Sequence, residues 1–272
     1  MQIAGRTVLI TGASSGIGAA AARALARKGA HVLLLARTQS ILEQLAAEIR
    51  VRGGTAHVFP VDLADLAAIA HVTQTIKREI GTPDILINNA GAGRWLFIEE
   101  TNPTEAAEMM AVPYLAAFAI TQAFLGEMLR RGRGHIVNLT SPAGYIAWPG
   151  AAAYSVARWA MRGFTAALRA DLSGTGVGVT LIVPGKVASP YFANNPGSEE
   201  RIPQLSKLYR TLTPEQVAEA IVTAIEHNRR EVVLPFMLKL TMLLHRFFPR
   251  PIEWLVIRSG WKRAASSEIP ID

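Results

Sequence analysis

A glycine-rich loop near the N-terminus has the spacing of a phosphate site. Residues 11–18 read TGASSGIG and lie between an apolar run and an alanine-rich stretch that ends near Lys28. Glycines permit a tight turn, close approach of the backbone to a pyrophosphate, and packing of the helix against the strand. Free N–H groups and the positive end of the helix dipole then face the anion. A glycine-rich turn without ligand is the alternative, but the position between strand and helix favours dinucleotide binding.

The residue that selects between dinucleotides stands at the end of the second predicted strand, which reads Leu35-Ala36-Arg37. A carboxylate there would hold the ribose 2′-hydroxyl of NAD(H), whereas a basic side chain accepts the 2′-phosphate of NADP(H). Because Arg37 can contact phosphate in a bidentate manner, NADP(H) is favoured, with NAD(H) as the alternative. The competing interpretation is a solvated charge at a strand end. Ser15 in the glycine loop, instead of a second basic residue, indicates a moderate preference.

Four motifs in order make residues 5–235 resemble the short-chain dehydrogenase/reductase family. The spacing Gly12-x3-Gly16-x-Gly18 resembles its fingerprint, residues 88–91 (NNAG) look like its NNAG motif, and residues 184–185 resemble its PG motif near the nicotinamide. Asp62 with Leu63 matches the position that meets the adenine ring. The resemblance implies an oxidoreductase whose cofactor-binding residues are Gly12, Ser14, Ser15, Gly16, Ile17, Gly18, Arg37, Asp62, Leu63, Asn89, Ala90, Gly91, Tyr154, Arg158, Pro184, Gly185, Val187 and Ser189.

By the same resemblance, the catalytic residues are Ser141, Tyr154 and Arg158. Arg158 follows Tyr154 by four residues, which places both side chains on one helix face. Ser141 would hydrogen-bond the substrate oxygen, Tyr154 would give or take its proton, and hydride would pass to or from the nicotinamide. A free tyrosine, with a pKa of about 10, is a poor base near neutrality. The family uses a lysine to stabilise tyrosinate and to hold the nicotinamide ribose.

Two positions depart from the family's pattern. Arg158 replaces the lysine. Its guanidinium keeps the positive charge but is wider, planar and effectively never deprotonated. We therefore expect it to stabilise tyrosinate but to relay protons inefficiently. Pro113 replaces an asparagine of the relay, and Ala116 stands at a glycine position. Inside a helix, proline kinks the backbone and frees a carbonyl about four residues earlier, which we expect to hold a relay water. The alternative is a weakened or inactive member that still binds dinucleotide.

The elements that position these residues follow from alternating patterns. Apolar runs of strand length at 7–11, 31–36, 56–61, 85–88, 135–139 and 177–183 are separated by helix-period stretches. Continuous apolar runs are typical of strands buried on both faces, which predicts a three-layer α/β fold with a doubly wound parallel sheet, the Rossmann fold. A seventh strand is predicted at 231–234, after a helix capped by Thr213 with Pro214 and Gln216.

We therefore predict a dinucleotide-binding catalytic domain over residues 1–235, with a substrate lid at 189–213, and a basic, apolar helical tail over 236–272. Around the motifs, the pocket positions are mainly apolar. They include Trp95, Phe97, residues 142–148, Tyr191 and Phe192. A hydrophobic carbonyl or alcohol substrate is favoured, lipid-like, steroid-like or terpenoid-like, although any single aromatic is more often a core residue.

Composition limits the kinds of site and partner that the chain can have. The 272 residues hold no cysteine, and the six histidines lack ligand spacing, so neither disulfides nor a metal site is predicted. With no signal-peptide pattern, a cytoplasmic location is the default. The net charge of +7 is concentrated in residues 229–263, where eight Lys/Arg face two Glu, which argues against nucleic acid as a partner.

The tail shows an amphipathic pattern. Phe236, Leu240, Leu243 and Phe247 share one helix face, and no tail stretch reaches the roughly 20 apolar residues of a spanning helix. We expect peripheral membrane contact through 236–263. The alternative is that this face packs over the protein's own pocket or against a second copy. The family resemblance implies a homodimer or homotetramer through the helices that contain Pro113 and Tyr154.

Overall fold

A computed structural model describes residues 1–91 and 93–263, and the end of the predicted tail, 264–272, lies outside the described residues. Seven parallel strands form one sheet in the order β3-β2-β1-β4-β5-β6-β7. Their bounds are Thr7–Thr11 (β1), His31–Ala36 (β2), Thr55–Pro60 (β3), Ile85–Asn88 (β4), Gly134–Leu139 (β5), Val177–Pro184 (β6) and Glu231–Leu234 (β7). The predicted doubly wound sheet is confirmed, with β3 displaced by one residue from its predicted bounds and β5 and β6 each one residue longer.

Helices cover both faces of this sheet. Their bounds are Gly16–Arg27 (α1), Gln39–Val51 (α2), Leu66–Glu79 (α3), Pro103–Met110 (α4), Ala116–Arg130 (α5), Ala152–Asp171 (α6), Pro214–Glu226 (α7), Phe236–Phe247 (α8) and Pro249–Ser259 (α9). Apolar residues of α1, α2 and α7 form the core on one face, while those of α3, α5 and α6 form the core on the other. The predicted capping box of α7 is observed, since Thr213 and Gln216 satisfy each other's backbone N–H groups.

Pro113 lies in a π-helical turn, Ala111–Leu115, that joins α4 to α5. The turn wraps one residue further than an α-helix, and the N–H of Ala116 donates to the carbonyl of Ala111, five residues back. Because proline has no N–H to donate, it is tolerated better in this irregular turn than in a regular α-helical turn. The Pro113 side chain is buried.

One continuous helical stretch, Pro103–Arg130, is long and apolar enough in composition to cross a membrane. In the fold, its Ile120, Phe124 and Met128 are fully buried in the core beneath the sheet. We therefore assign it to the core of the globular domain.

Candidate active site

A cleft of about 1250 Å³ runs along the carboxyl edge of the sheet. It collects residues that lie far apart in the sequence, because parallel strands bring their carboxyl ends to one edge. The predicted site residues that line it are Gly12, Ser14, Ser15, Gly16, Ile17, Arg37, Asp62, Leu63, Asn89, Ala90, Gly91, Ser141, Tyr154, Arg158, Pro184, Gly185, Val187 and Ser189. Gly18 lies beneath the loop, where any Cβ would collide with the Gly12 carbonyl, so its role is packing.

The glycine loop is held in place by the segment that follows β4. The Thr11 hydroxyl accepts the backbone N–H groups of Asn89 and Ala90, each at 3.0 Å. In return, the Asn89 side-chain amide donates to the Thr11 carbonyl at 2.9 Å and to the Gly12 carbonyl at 3.3 Å. Gly12 and Gly16 have φ angles of +65° and +52°, a backbone conformation that other residues adopt only with strain. The loop is therefore rigid and open toward the cleft.

The start of α1 fits a bound phosphate. Side chains of Asp65, Asn102 and Thr213 cap α3, α4 and α7, whereas α1, like α2, α5, α6, α8 and α9, has no side-chain cap. No acidic residue lies in the first turn of α1. The N–H groups at this end therefore remain available to an anion in the cleft, and the helix dipole favours negative charge there.

The neighbouring wall carries Arg37 and Asp62. Arg37 is exposed at the end of β2, and it forms no ion pair with a carboxylate among the residues that the structure describes. Asp62 accepts the backbone N–H of Ala64 at 2.9 Å, which fixes the turn after β3. This wall thus offers the dinucleotide a guanidinium that no described carboxylate pairs with.

The three predicted catalytic residues are buried in the inner part of the cleft. Tyr154 and Arg158 lie one turn apart on α6, and the Arg158 guanidinium carbon is 4.9 Å from the centre of the Tyr154 ring. Ser141 follows β5, and its hydroxyl accepts the N–H of Ala143 at 3.3 Å. The guanidinium packs directly on Gly91, where a Cβ would lie 2.5 Å from Nη2. Glycine at the end of the NNAG motif therefore makes room for the wider guanidinium.

Arg158 is a buried charge in the wall of this site. Only 5% of its surface is exposed, no carboxylate among the described residues pairs with it, and its Nε has no hydrogen-bond partner. Burial acts to lower the pKa of Arg158, but the adjacent phenol oxygens of Tyr154 and Tyr191 outweigh burial and raise that pKa. The side chain stays cationic, so its donors fit the hydroxyl and oxygen groups of a nucleotide and a substrate.

Tyr191 brings a second phenol to this centre, a role that the sequence did not predict. Its hydroxyl donates to the Gly93 carbonyl at 2.9 Å. Burial, together with the nearby Tyr154, raises the pKa of Tyr191 above its ordinary value, despite the opposing charge of Arg158. Tyr191 is thus held as a protonated donor.

The predicted lid is fastened across the cleft by side-chain hydrogen bonds that the sequence did not reveal. Asn195 accepts the N–H of Gly93 at 3.0 Å and donates to the Tyr191 carbonyl at 2.7 Å. Ser198 accepts the N–H of Trp95, also at 3.0 Å. Gly93 and Asn195, like Trp95 and Ser198, are about a hundred residues apart in sequence, and no local pattern signals such a pairing. The segment 189–213 therefore forms the roof of the inner cleft.

Comparisons with known proteins agree with this geometry. The family model described as short chain dehydrogenase matches residues 6–200. An uncharacterized oxidoreductase of Mycobacterium tuberculosis is 37% identical over 239 residues, which are 86% of this chain and 68% of that protein. The 17-beta-hydroxysteroid dehydrogenase 13 of Rattus norvegicus is 32% identical over 254 residues, 92% of this chain and 82% of that protein.

Among solved structures, a metagenomic short-chain oxidoreductase in complex with NADP is similar, with a TM-score of 0.72 and 30% sequence identity. The similarity covers 86% of this chain and 98% of that chain. Together with the ordered motifs around one cleft, these matches show that the chain belongs to the short-chain dehydrogenase/reductase family of oxidoreductases.

Proposed function

We propose that the protein is an NADP(H)-dependent oxidoreductase that transfers hydride between nicotinamide and a hydrophobic carbonyl or alcohol. One observation carries this proposal. The glycine loop, the Tyr154–Arg158 pair and an apolar inner wall line one continuous cleft. A dinucleotide bound to the loop therefore has its reactive end beside a proton donor and an apolar chamber.

The residues of the chain have separable tasks in this reaction. The bound nicotinamide supplies or accepts the hydride. Ser141 orients the substrate oxygen, and Tyr154 gives that oxygen a proton during reduction or takes one during oxidation. The Arg158 guanidinium stabilises the negative charge that develops on the oxygens, and its donors would hold the nicotinamide ribose of a bound cofactor. A buried cation acts strongly here because little water screens it.

The inner wall supports a hydrophobic substrate. Trp95 packs between Trp148 and Tyr154, with ring centres 5.2 Å from each, and lies 6.0 Å from Phe192. Such a wall excludes water and gives a polar substrate few partners. The name of the rat relative places that protein among enzymes of hydroxysteroids, which belong to the same hydrophobic class.

An assay of NADPH oxidation with a carbonyl panel tests the proposal. We expect turnover with steroid and long-chain ketones to exceed turnover with polar sugar ketones. The double variant Pro113→Asn with Arg158→Lys, which restores the family's residues, should raise kcat. Tight NADPH binding without hydride transfer in both proteins would contradict the proposal. That outcome would support the second candidate, a dinucleotide-binding member with weak or no catalysis, which the buried Pro113 and the arginine at 158 favour.

Cofactor preference gives a further prediction. Arg37→Ala should raise the Kd for NADPH about tenfold or more, because it removes a charge-assisted contact with the 2′-phosphate, while the Kd for NADH stays unchanged. Fluorescence titration of both cofactors measures this. Arg52→Ala is the matched control, since Arg52 is an exposed arginine outside the cleft. An equal change in both affinities, or no change in either, would show that Arg37 does not read the phosphate.

We also propose that the enzyme is a homodimer or homotetramer. The support is an exposed apolar surface on the helices that contain Pro113 and Tyr154. On it lie Leu115, Phe118, Val156 and Trp159, between 39% and 60% exposed. Exposed apolar side chains grouped on adjacent helices are typical of an interface between copies.

A further inference from the structure

The helices α8 and α9 form a hairpin with two different apolar sides. On the inner side, Leu238 and Val256 are buried and, together with Thr241, line the cleft that holds the catalytic residues. The hairpin is therefore a wall of the substrate cleft as well as an appendage. Its position is fixed near its end, where Arg263 forms an ion pair with Glu99 and where a Cβ on Gly260 would lie 2.9 Å from Cδ of Pro149.

The outer side of the hairpin is apolar, and its large side chains are exposed within the described part of the chain. Phe236, Leu240, Leu243 and Phe247, the face predicted from the sequence, are 73%, 38%, 52% and 67% exposed. They therefore do not pack over the protein's own cleft, which is covered by the opposite side of α8. Trp254, Leu255 and Ile257 of α9 are also exposed. Exposed bulky apolar side chains grouped on two packed helices mark a site of interaction.

Basic side chains flank this apolar side. Lys239, Arg246, Arg250 and Arg258 form no ion pair with a carboxylate within the described part of the chain. Arg258 instead stacks on Trp254, 5.1 Å from its ring centre. Glu253, the one acidic residue of the hairpin, bonds to His245 at 3.0 Å. The hairpin thus combines bulky apolar side chains with uncompensated positive charge.

We propose that the outer side of the α8–α9 hairpin docks on an anionic lipid bilayer, with both helices lying in the interface. Apolar side chains that enter the acyl region and basic ones that meet lipid phosphates are the two features of such helices. A symmetric contact with a second copy would instead bring the same unpaired cations against one another. Docking places the inner side, and with it the cleft, at the membrane surface.

This position gives the hydrophobic substrate a route from the bilayer into the cleft along Leu238 and Val256. The route rests on the proposed function, whereas the docking does not. A membrane-dissolved substrate would reach Tyr154 without crossing water, which suits the aromatic inner wall.

Vesicle flotation of the full-length protein tests the docking. We expect binding to vesicles of phosphatidylcholine with phosphatidylserine and weak binding to pure phosphatidylcholine. Leu243→Glu with Phe247→Glu should lower the affinity at least tenfold, and Lys239→Ala with Arg246→Ala about tenfold. Val51→Glu with Leu66→Glu is the matched control, because it places the same charges on exposed apolar positions of α2 and α3 and should bind like the wild type.

Each variant is also titrated with NADPH, which verifies the fold, and its mass is measured by light scattering. Failure of the wild type to bind the anionic vesicles, or an equal loss in the α2–α3 control, would overturn the docking. A change from dimer to monomer caused only by Leu243→Glu with Phe247→Glu would likewise overturn it and assign this side to a second copy. Flotation needs no turnover, so an inactive protein that floats would contradict the proposed reaction alone.

Discussion

Tyr154→Phe should lower kcat for reduction of a hydrophobic ketone by about 10²- to 10⁴-fold, with a much smaller change in the Kd for NADPH. The change removes the proton donor alone. The phenylalanine ring keeps its contacts with Trp95, 5.2 Å away, and with the Arg158 guanidinium at 4.9 Å, so the site should retain its shape. Single-turnover oxidation of bound NADPH, monitored at its absorbance band, measures the chemical step.

Tyr191→Phe is the variant that makes this test specific. Tyr191 is a second buried tyrosine of the same centre, but its hydroxyl is committed to the Gly93 carbonyl and its raised pKa keeps it protonated. Loss of this hydroxyl should loosen the lid, so we expect a higher KM with a small change in kcat. If Tyr191→Phe instead lost as much kcat as Tyr154→Phe, the proton donor would be assigned to the pair and not to Tyr154.

Features that depend on residue spacing within one helix, strand or loop could be predicted from the sequence. The glycine loop, the strands and the Thr213 cap each depend on spacing within one element, and periodicity or turn chemistry reveals them. The convergence of Ser141, Tyr154 and Arg158 in one cleft was predicted only by resemblance. Its physical basis is the parallel sheet, which brings these segments to one edge.

What the sequence could not predict depends on contacts between distant segments. The bonds from Asn195 and Ser198 to the segment after β4 join loops with no periodic pattern. The π-helical turn is a further example, since a proline in a helix predicts a disturbance but not its geometry. The sequence also did not determine whether the outer side of α8 is exposed, because an amphipathic pattern does not show whether protein covers its apolar face.

Replacement of the buried Arg158 cation should change the free energy of unfolding and kcat in opposite directions. Arg158→Met should raise the free energy of unfolding of the cofactor-free protein by about 1 kcal/mol or more and lower kcat about 100-fold or more. Arg158 is 5% exposed, has no acidic partner among the described residues, and stays charged because a guanidinium is effectively never deprotonated. Deprotonation therefore cannot relieve the cost of its burial, whereas methionine fills a similar volume without a charge.

Thermal and denaturant unfolding, with and without NADPH, measure the change in the free energy of unfolding. Arg158→Lys is the matched control, because it keeps the buried charge and should not stabilise the free protein. Saturating NADPH should reduce the difference in free energy of unfolding between the wild type and Arg158→Met. The reason is that the cofactor supplies hydrogen-bond partners for the guanidinium only in the wild type. A methionine variant less stable than the wild type would show that the guanidinium is already well solvated within the cleft. The stabilisation, if observed, would identify Arg158 as a group retained for binding and chemistry at the expense of the fold.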